Sequence, residues 1–312
     1  MPRAFIVSLF NFFHLSLIRS FSIKVATVLV FALVSIQLDG QVIDSLERQS
    51  KIRRIHSLSA AGLFTIGSYA ILHKIWYEDF EKVNFHFFND SKEWNGMDKV
   101  GHLTTAYSIS ERSSEFFKKS EWSSKAPYLG ASFGFVYTST LEFLDAYSAD
   151  WGFSMYDLGS NFVGAGVYLL QEKKINSQLI RFKWSYSKSD LAETAPNLLG
   201  SNSYESLLKD YNAQTYWASV GLMRINSSQE RWICASLGYS IDGFVRARTQ
   251  DIESGFNPRS QYYLSLDIDW SKIPVKNKHL KNVLKVFNFV KIPFPALQWD
   301  KKYGVTFHPL YF

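Results

Sequence analysis

The hydrophobic period of this chain changes once, near Lys173, and that change constrains its fold class more than any other feature. Before it, apolar residues recur at helical spacing. Asp98 to Lys119 sets Val100, Leu103, Ala106, Tyr107 and Phe117 against Glu111, Arg112, Lys118 and Lys119, with Asp98 expected to cap its start. Pro127, at a permitted first-turn position, opens a nearly uncharged helix through Leu144. Ser154-Met155-Tyr156-Asp157 has the form of a capping box, and Leu158 to Leu170 continues it, with Gly159, Gly164 and Gly166 expected to admit a close neighbour. Residues 57–76 carry no charge before Lys74 and include Ala60, Gly62, Gly67 and Ala70. That stretch approaches the length of a membrane span, but its small and hydroxyl residues suit a fourth helix in a close-packed bundle, which is the expectation adopted. Residues 77–96 read as a loop or short amphipathic segment.

After Lys173, residues 180–187, 215–224, 231–240, 261–270 and 303–311 alternate apolar with polar and are rich in Tyr, Trp, Val and Ile, as strands are. Ser203 to Tyr211 and Lys276 to Asn288 read as helices between them, with Pro293 and Pro295 as breakers. The expected class is α+β: an N-terminal four-helix bundle over residues 41–174, then a mainly antiparallel β region over 175–312, either a sheet or a partial barrel. The alternating run ending in Tyr311-Phe312 resembles the closing strand of an outer-membrane barrel. Five visible strands fall short of the eight in the smallest such barrels.

The N-terminus reads as an address. Arg19 and Lys24 precede the apolar run Val25 to Ile36, and polar residues follow to Gln41, as in a secretory signal peptide over residues 1–40. Gly40 supplies a small residue before a cut at Gln41, whereas Leu38 fits the third position poorly; an uncleaved anchor is the alternative. The mature protein is then expected outside the cytoplasm, in the periplasm or outer membrane of a Gram-negative bacterium. Aromatics at 17% suit a lipid interface or bulky cross-strand pairs. The net charge of +6 is spread along the chain, which argues against nucleic acid as a partner. Local basic runs at Lys51–Arg54 and Lys276–Lys281 suit solvated faces or a membrane surface. Cys234, the only cysteine, sits in an apolar run and reads as a buried, inert thiol.

Polar residues stand out on the apolar helices. Asp98 and His102 are four apart and share a face, Glu142 and Asp145 are three apart, and Asp157 and Asn161 are four apart. Three helices each presenting a pair of oxygen or nitrogen groups can form a structural polar network, a divalent metal site or an acid/base centre. Asp98 and Asp157 also fit helix starts, where the dipole favours them. Glu142 and Asp145 end an apolar helix against its dipole and so demand a partner, His102 or a cation. Asp98, His102, Glu142 and Asp157 are the candidate metal ligands, Asp145 is the candidate base, and Asn161 belongs to the polar network. No His-Glu-x-x-His, Gly-x-Ser-x-Gly, phosphate-binding glycine loop or paired-cysteine motif is present, which lowers the case for an enzyme.

Asp98-Lys99-Val100-Gly101-His102, Leu141 to Asp145, Trp151 to Leu158 and Asn161 to Ala165 together resemble the YfiM-like family of predicted periplasmic lipoproteins, a domain of unknown function, over about residues 50–172. The Asp-Lys-x-x-His opening is also loosely similar to VanZ-like membrane proteins. The resemblance implies an envelope location and a small helical domain, with no activity attached. The chain departs from it in having no lipobox cysteine and in a long C-terminal region that looks like an extension found in Bacteroidetes proteins. The expectation is an exported envelope protein with a structural or interaction role, its partners the outer membrane or envelope components. The alternative is a metal-assisted hydrolase or transferase acting on an envelope lipid or glycan.

Overall fold

The computed structural model describes residues 45–73, 81–222 and 232–312. The signal peptide and its cut before Gln41 lie outside them. The chain divides into two compact units, residues 1–60 and 61–312, and the second holds both the helices around the polar residues and the sheet.

Helix α1 (Ser45–Leu72) crosses from the first unit to the second. Among the described residues it is the one helix long and apolar enough to cross a membrane. Its second half is not the buried bundle helix the sequence suggests: Leu63, Phe64, Ile66 and Ile71 are exposed. It touches the neighbouring helix through Tyr69, whose hydroxyl donates to Tyr137 O at 2.7 Å, and through a stack of Phe64 on Tyr137. Small residues on a helix permit burial but do not compel it when the remaining surface is large and apolar.

The helices that do pack on one another are α2 (Met97–Phe117), α3 (Ala126–Asp145) and α4 (Met155–Lys174). Helix α2 is central, and glycines on its partners set the distance. A Cβ at Gly134 would lie 2.2 Å from Ser110 Oγ, and one at Gly164 would lie 2.2 Å from Leu103 O. Both positions therefore exclude any side chain. Gly159 and Gly166 face open space instead, so of the three glycines on α4 expected to admit a neighbour only Gly164 does. Pro127 stands in the first turn of α3 as expected. Glu111, placed by periodicity on the solvent face of α2, is 9% exposed because it meets Arg181 of the sheet.

The β region is one six-stranded antiparallel sheet in the order β1-β2-β3-β4-β5-β6. Its strands are Ile180–Tyr186, Gln214–Gly221, Ile233–Asp242, Arg259–Ile268, Phe294–Asp300 and Gly304–Tyr311. Short helix α5 (Ser203–Lys209) precedes β2 and α6 (Lys278–Phe287) precedes β5. Strand β5 was hidden from sequence reasoning by its prolines. Pro295 lies where the β5–β6 register shifts between Phe294 and Ala296, and an irregularity of this kind tolerates a residue without an N–H.

The two faces of the sheet are inverted relative to a soluble antiparallel sheet. Lys183, Trp217, Gly238, Tyr263 and Gln298 align across β1 to β5 on the inner face, and Arg181, Ser219, Ser236 and Ser265 lie on the same face. All of these side-chain-bearing residues are buried. The outer face carries Leu237, Tyr262, Leu264, Leu266, Leu297, Trp299, Val305 and Phe307, all exposed. Its aromatic rings touch in sequence, Tyr239 to Tyr262 at 5.5 Å and Tyr262 to Trp299 at 5.6 Å. This face is covered at its β1–β2 end, where Tyr107 of α2 meets Phe182 edge-on and Gly101 faces the Tyr216 hydroxyl, and at the end of β3, where the Tyr239 hydroxyl donates to Asn95 O at 2.7 Å beside the fully buried Ile241. The sheet curls far enough for Tyr311 of β6 to reach Thr215 of β2, hydroxyl to hydroxyl at 3.1 Å. Residues 289–291 run beside the β1 edge, Trp184 N donating to Phe289 O at 2.8 Å. This is a partial barrel filled by its own side chains.

Candidate functional site

The start of α2, the end of α3 and the start of α4 converge on one buried polar cluster, joined by Asp90 from the extended segment before α2. Lys99 lies at its centre. Its Nζ is 2.5 Å from Asp90 Oδ2, 2.7 Å from Asp98 Oδ2 and 2.9 Å from Asp157 Oδ1. The last is an ion pair without hydrogen-bond geometry, since Asp157 Oδ1 accepts no hydrogen bond. Neither Asp98 nor Asp157 acts as a helix cap. The N-cap of α2 is Gly96, and Asp98, one residue inside the helix, accepts from Lys99 N at 2.9 Å. The N-cap of α4 is Ser154, whose Oγ accepts from Asp157 N at 3.0 Å and donates to Asp90 Oδ1 at 2.7 Å. The capping-box spacing is thus half used: the serine caps, while the aspartate side chain turns to Lys99.

His102, one turn along α2 from Asp98, faces a second group. Its Nδ1 is 3.2 Å from Asn161 Oδ1 and 3.3 Å from Glu142 Oε1, and its Nε2 is 3.9 Å from Asp157 Oδ1. Glu142 is 1% exposed and Asn161 fully buried, yet among the described residues Glu142 Oε1 and Asn161 Nδ2 have no hydrogen-bond partner. Asp145, at the end of α3, borders the same cleft three residues beyond Glu142.

Three carboxyl groups around one ammonium, with Glu142 buried beside them, set the electrostatics. Burial pushes the Glu142 carboxyl up to about 10, with the charges of Asp157, Asp145 and Asp90 adding to it. Burial likewise takes Asp157 to about 9, helped by its hydrogen bond to Asp90 and the charge of Asp98. Asp98 rises only to about 6, because Lys99 opposes the effect of burial. At Asp90 burial is outweighed by hydrogen bonds to Asp157, Lys99 and Ser154, and its pKa falls below the ordinary value. His102 is held down to about 4 by burial and then by the charge of Lys99, so near neutral pH its ring is uncharged. The ring therefore cannot neutralise Glu142.

The cluster lines a cleft with about 230 Å³ of space, walled by Phe88, Trp94, Leu141, Trp151 and Tyr211 and bordered by Lys209. Two trios of its side chains each bring three ligand atoms within 4.8 Å of one another: Asp90, Asp98 and Asp157, and His102, Glu142 and Asp157. The six residues singled out by spacing all border the cleft or contact His102. Asp98 belongs with Lys99 rather than with the His102 trio. Sequence reasoning missed Asp90 and Lys99, and it named Ser154 as the start of a capping box but not as a member of the cluster. A lysine beside Asp98 on a buried helix face was the available signal for Lys99, whereas Asp90, in an irregular segment, gives none.

The sequence profile of a family described as predicted periplasmic lipoprotein (DUF2279) matches residues 86–173. That stretch holds every carboxylate of the cleft cluster together with Lys99, His102 and Asn161. The protein is accordingly an exported envelope protein of a Gram-negative bacterium, in the periplasm or at the outer membrane. No curated protein and no solved structure matches the chain.

Proposed function

We propose that this protein is an interaction component of the envelope that seats on the outer membrane through the apolar outer face of its curled sheet. The observation that carries this reading is the inverted alternation: Leu237, Leu264, Leu297 and Phe307 are 65%, 51%, 45% and 61% exposed, while Lys183 and Asp267 are buried behind them. A soluble sheet would gain by the opposite arrangement, and an apolar patch spread over several strands calls for a lipid or protein partner. Polar-in, apolar-out alternation is how strands meet lipid. Helix α6 adds a second contact of the same kind, with Leu280, Val283, Val286 and Phe287 exposed beside Lys278 and Lys281, the composition of an interfacial helix. In this reading residues 86–173 are a YfiM-like helical module, and the sheet is the extension that holds it at the membrane.

Flotation of the purified full chain with phosphatidylethanolamine/phosphatidylglycerol vesicles tests the proposal. The wild type is expected to float with the vesicles and the double variant Leu264→Glu/Leu297→Glu to stay behind with its circular dichroism unchanged. A wild type that stays behind, or a folded double variant that floats equally well, overturns it.

A further inference from the structure

We infer that His102, Glu142 and Asp157 form a binding site for one divalent cation, Zn²⁺ or Mn²⁺, with Asn161 positioning the imidazole. The inference is independent of how the sheet meets the membrane.

The two trios of ligand atoms in the cleft differ in one respect. Asp90, Asp98 and Asp157 surround an ammonium, Lys99 Nζ, at 2.5 to 2.9 Å from each. The protein has built its own cation into that trio. His102, Glu142 and Asp157 have the same spacing, within 4.8 Å. Among the described residues Lys99 pairs with Asp157 but with no atom of Glu142. A carboxylate that is 1% exposed, with an oxygen that accepts no hydrogen bond, is costly to keep unless something positive meets it. Glu142 Oε1 lies 3.3 Å from His102 Nδ1, on the imidazole that the trio shares.

Asn161 supplies a second, non-acidic observation. It is fully buried, with its amide oxygen on the His102 ring. With its oxygen 3.2 Å from His102 Nδ1, it can accept the ring N–H, which fixes the tautomer and leaves the Nε2 lone pair on the side of Asp157. Ligand histidines are commonly held in this way by an acceptor on their other nitrogen. One imidazole nitrogen and two carboxylates match the preferences of Zn²⁺ and Mn²⁺. They suit Ca²⁺, which needs six to eight oxygens, and Mg²⁺, which keeps most of its water, less well. Three protein ligands beside an open cleft would leave a coordination position for water or a bound molecule.

The test uses the full chain, stripped with a chelator and dialysed against Zn²⁺, Mn²⁺ or Co²⁺ with excess Mg²⁺ present. Metal analysis is expected to find one ion per chain, and the Co²⁺ form to show visible ligand-field bands. His102→Gln and Glu142→Gln should each weaken binding by at least tenfold, and Asn161→Ala by about 10- to 100-fold with altered Co²⁺ bands. Should His102→Gln fail to fold, Glu142→Gln, which keeps the side-chain shape and removes the carboxylate ligand, decides alone. Absence of retained metal, or wild-type affinity in folded Glu142→Gln, overturns the site.

Discussion

Two of the places where the described residues bury charge are balanced differently. Where the sheet meets α2, every carboxylate finds a cation. Arg181 lies 2.5 Å from Glu111 and 2.6 Å from Asp269, and Lys183 lies 2.8 Å from Asp267. At Glu111 burial alone would raise the pKa, but the charges of Arg181 and Arg112 outweigh it and the carboxyl titrates below its ordinary range. In the cleft, Asp90, Asp98 and Asp157 share one ammonium and Glu142 has none, so Glu142 and Asp157 titrate far above theirs. Both clusters fix elements in place. Only the second leaves carboxyl groups without matching cations beside an opening, and that imbalance separates a place for a ligand from a structural joint.

The contrast predicts opposite responses to neutralisation. Lys183→Met removes one partner from a pair with no exposure on either side and strands Asp267, so we expect a loss of about 3–5 kcal/mol in denaturant unfolding. A loss below about 1 kcal/mol would break the view that the sheet interior depends on paired charge. Gly164→Ala comes next. Its Cβ would meet Leu103 O at 2.2 Å, separating α4 from α2, and should cost about 1–3 kcal/mol. Gly166→Ala, on the same helix but in open space, should instead gain about 0.5–1 kcal/mol.

Neutralising the cleft should do the reverse of neutralising the sheet. Glu142 and Asp157, at about 10 and about 9 in the folded protein, bind protons more tightly there than when unfolded. Their contribution is complete below the ordinary carboxylate range and is lost as pH rises toward 9 to 10. His102, lowered from 6.5 to about 4, acts in the other direction, and its contribution is lost as pH falls between those values. The chelator-treated protein should therefore melt lower at pH 9 than at pH 6.5, and Glu142→Gln should flatten that alkaline decline while keeping the acid one. An unchanged alkaline slope in Glu142→Gln would sink the idea of unmatched charge. Smallest of all, Leu264→Ser should change stability by no more than about 0.5 kcal/mol, because its side chain is already 51% exposed.

Much of this was legible from the order of residues. The switch of period at Lys173 located the helices and five of the six strands, since alternation survives whichever face is buried. It could not say which face that was. Lys183 and Asp267 look like solvent-facing residues until the curl of the sheet encloses them, and β5 was masked by Pro295. Helical spacing found His102, Glu142, Asp157 and Asn161 because a polar residue on an apolar helix is conspicuous. It misread Asp98 as a cap, because a favourable place near the dipole says nothing about where the side chain turns. Lys99 escaped notice because a lysine at the start of an amphipathic helix is ordinary until three carboxylates are seen around it.

Anomalous diffraction from crystals grown with Mn²⁺ tests the central contrast most directly. One strong peak is expected with His102, Glu142 and Asp157 at direct-ligand distance, roughly 2.0–2.2 Å, and none in the interior that holds Lys183 and Asp267. A peak at the paired cluster, or none at the His102 trio, would contradict it.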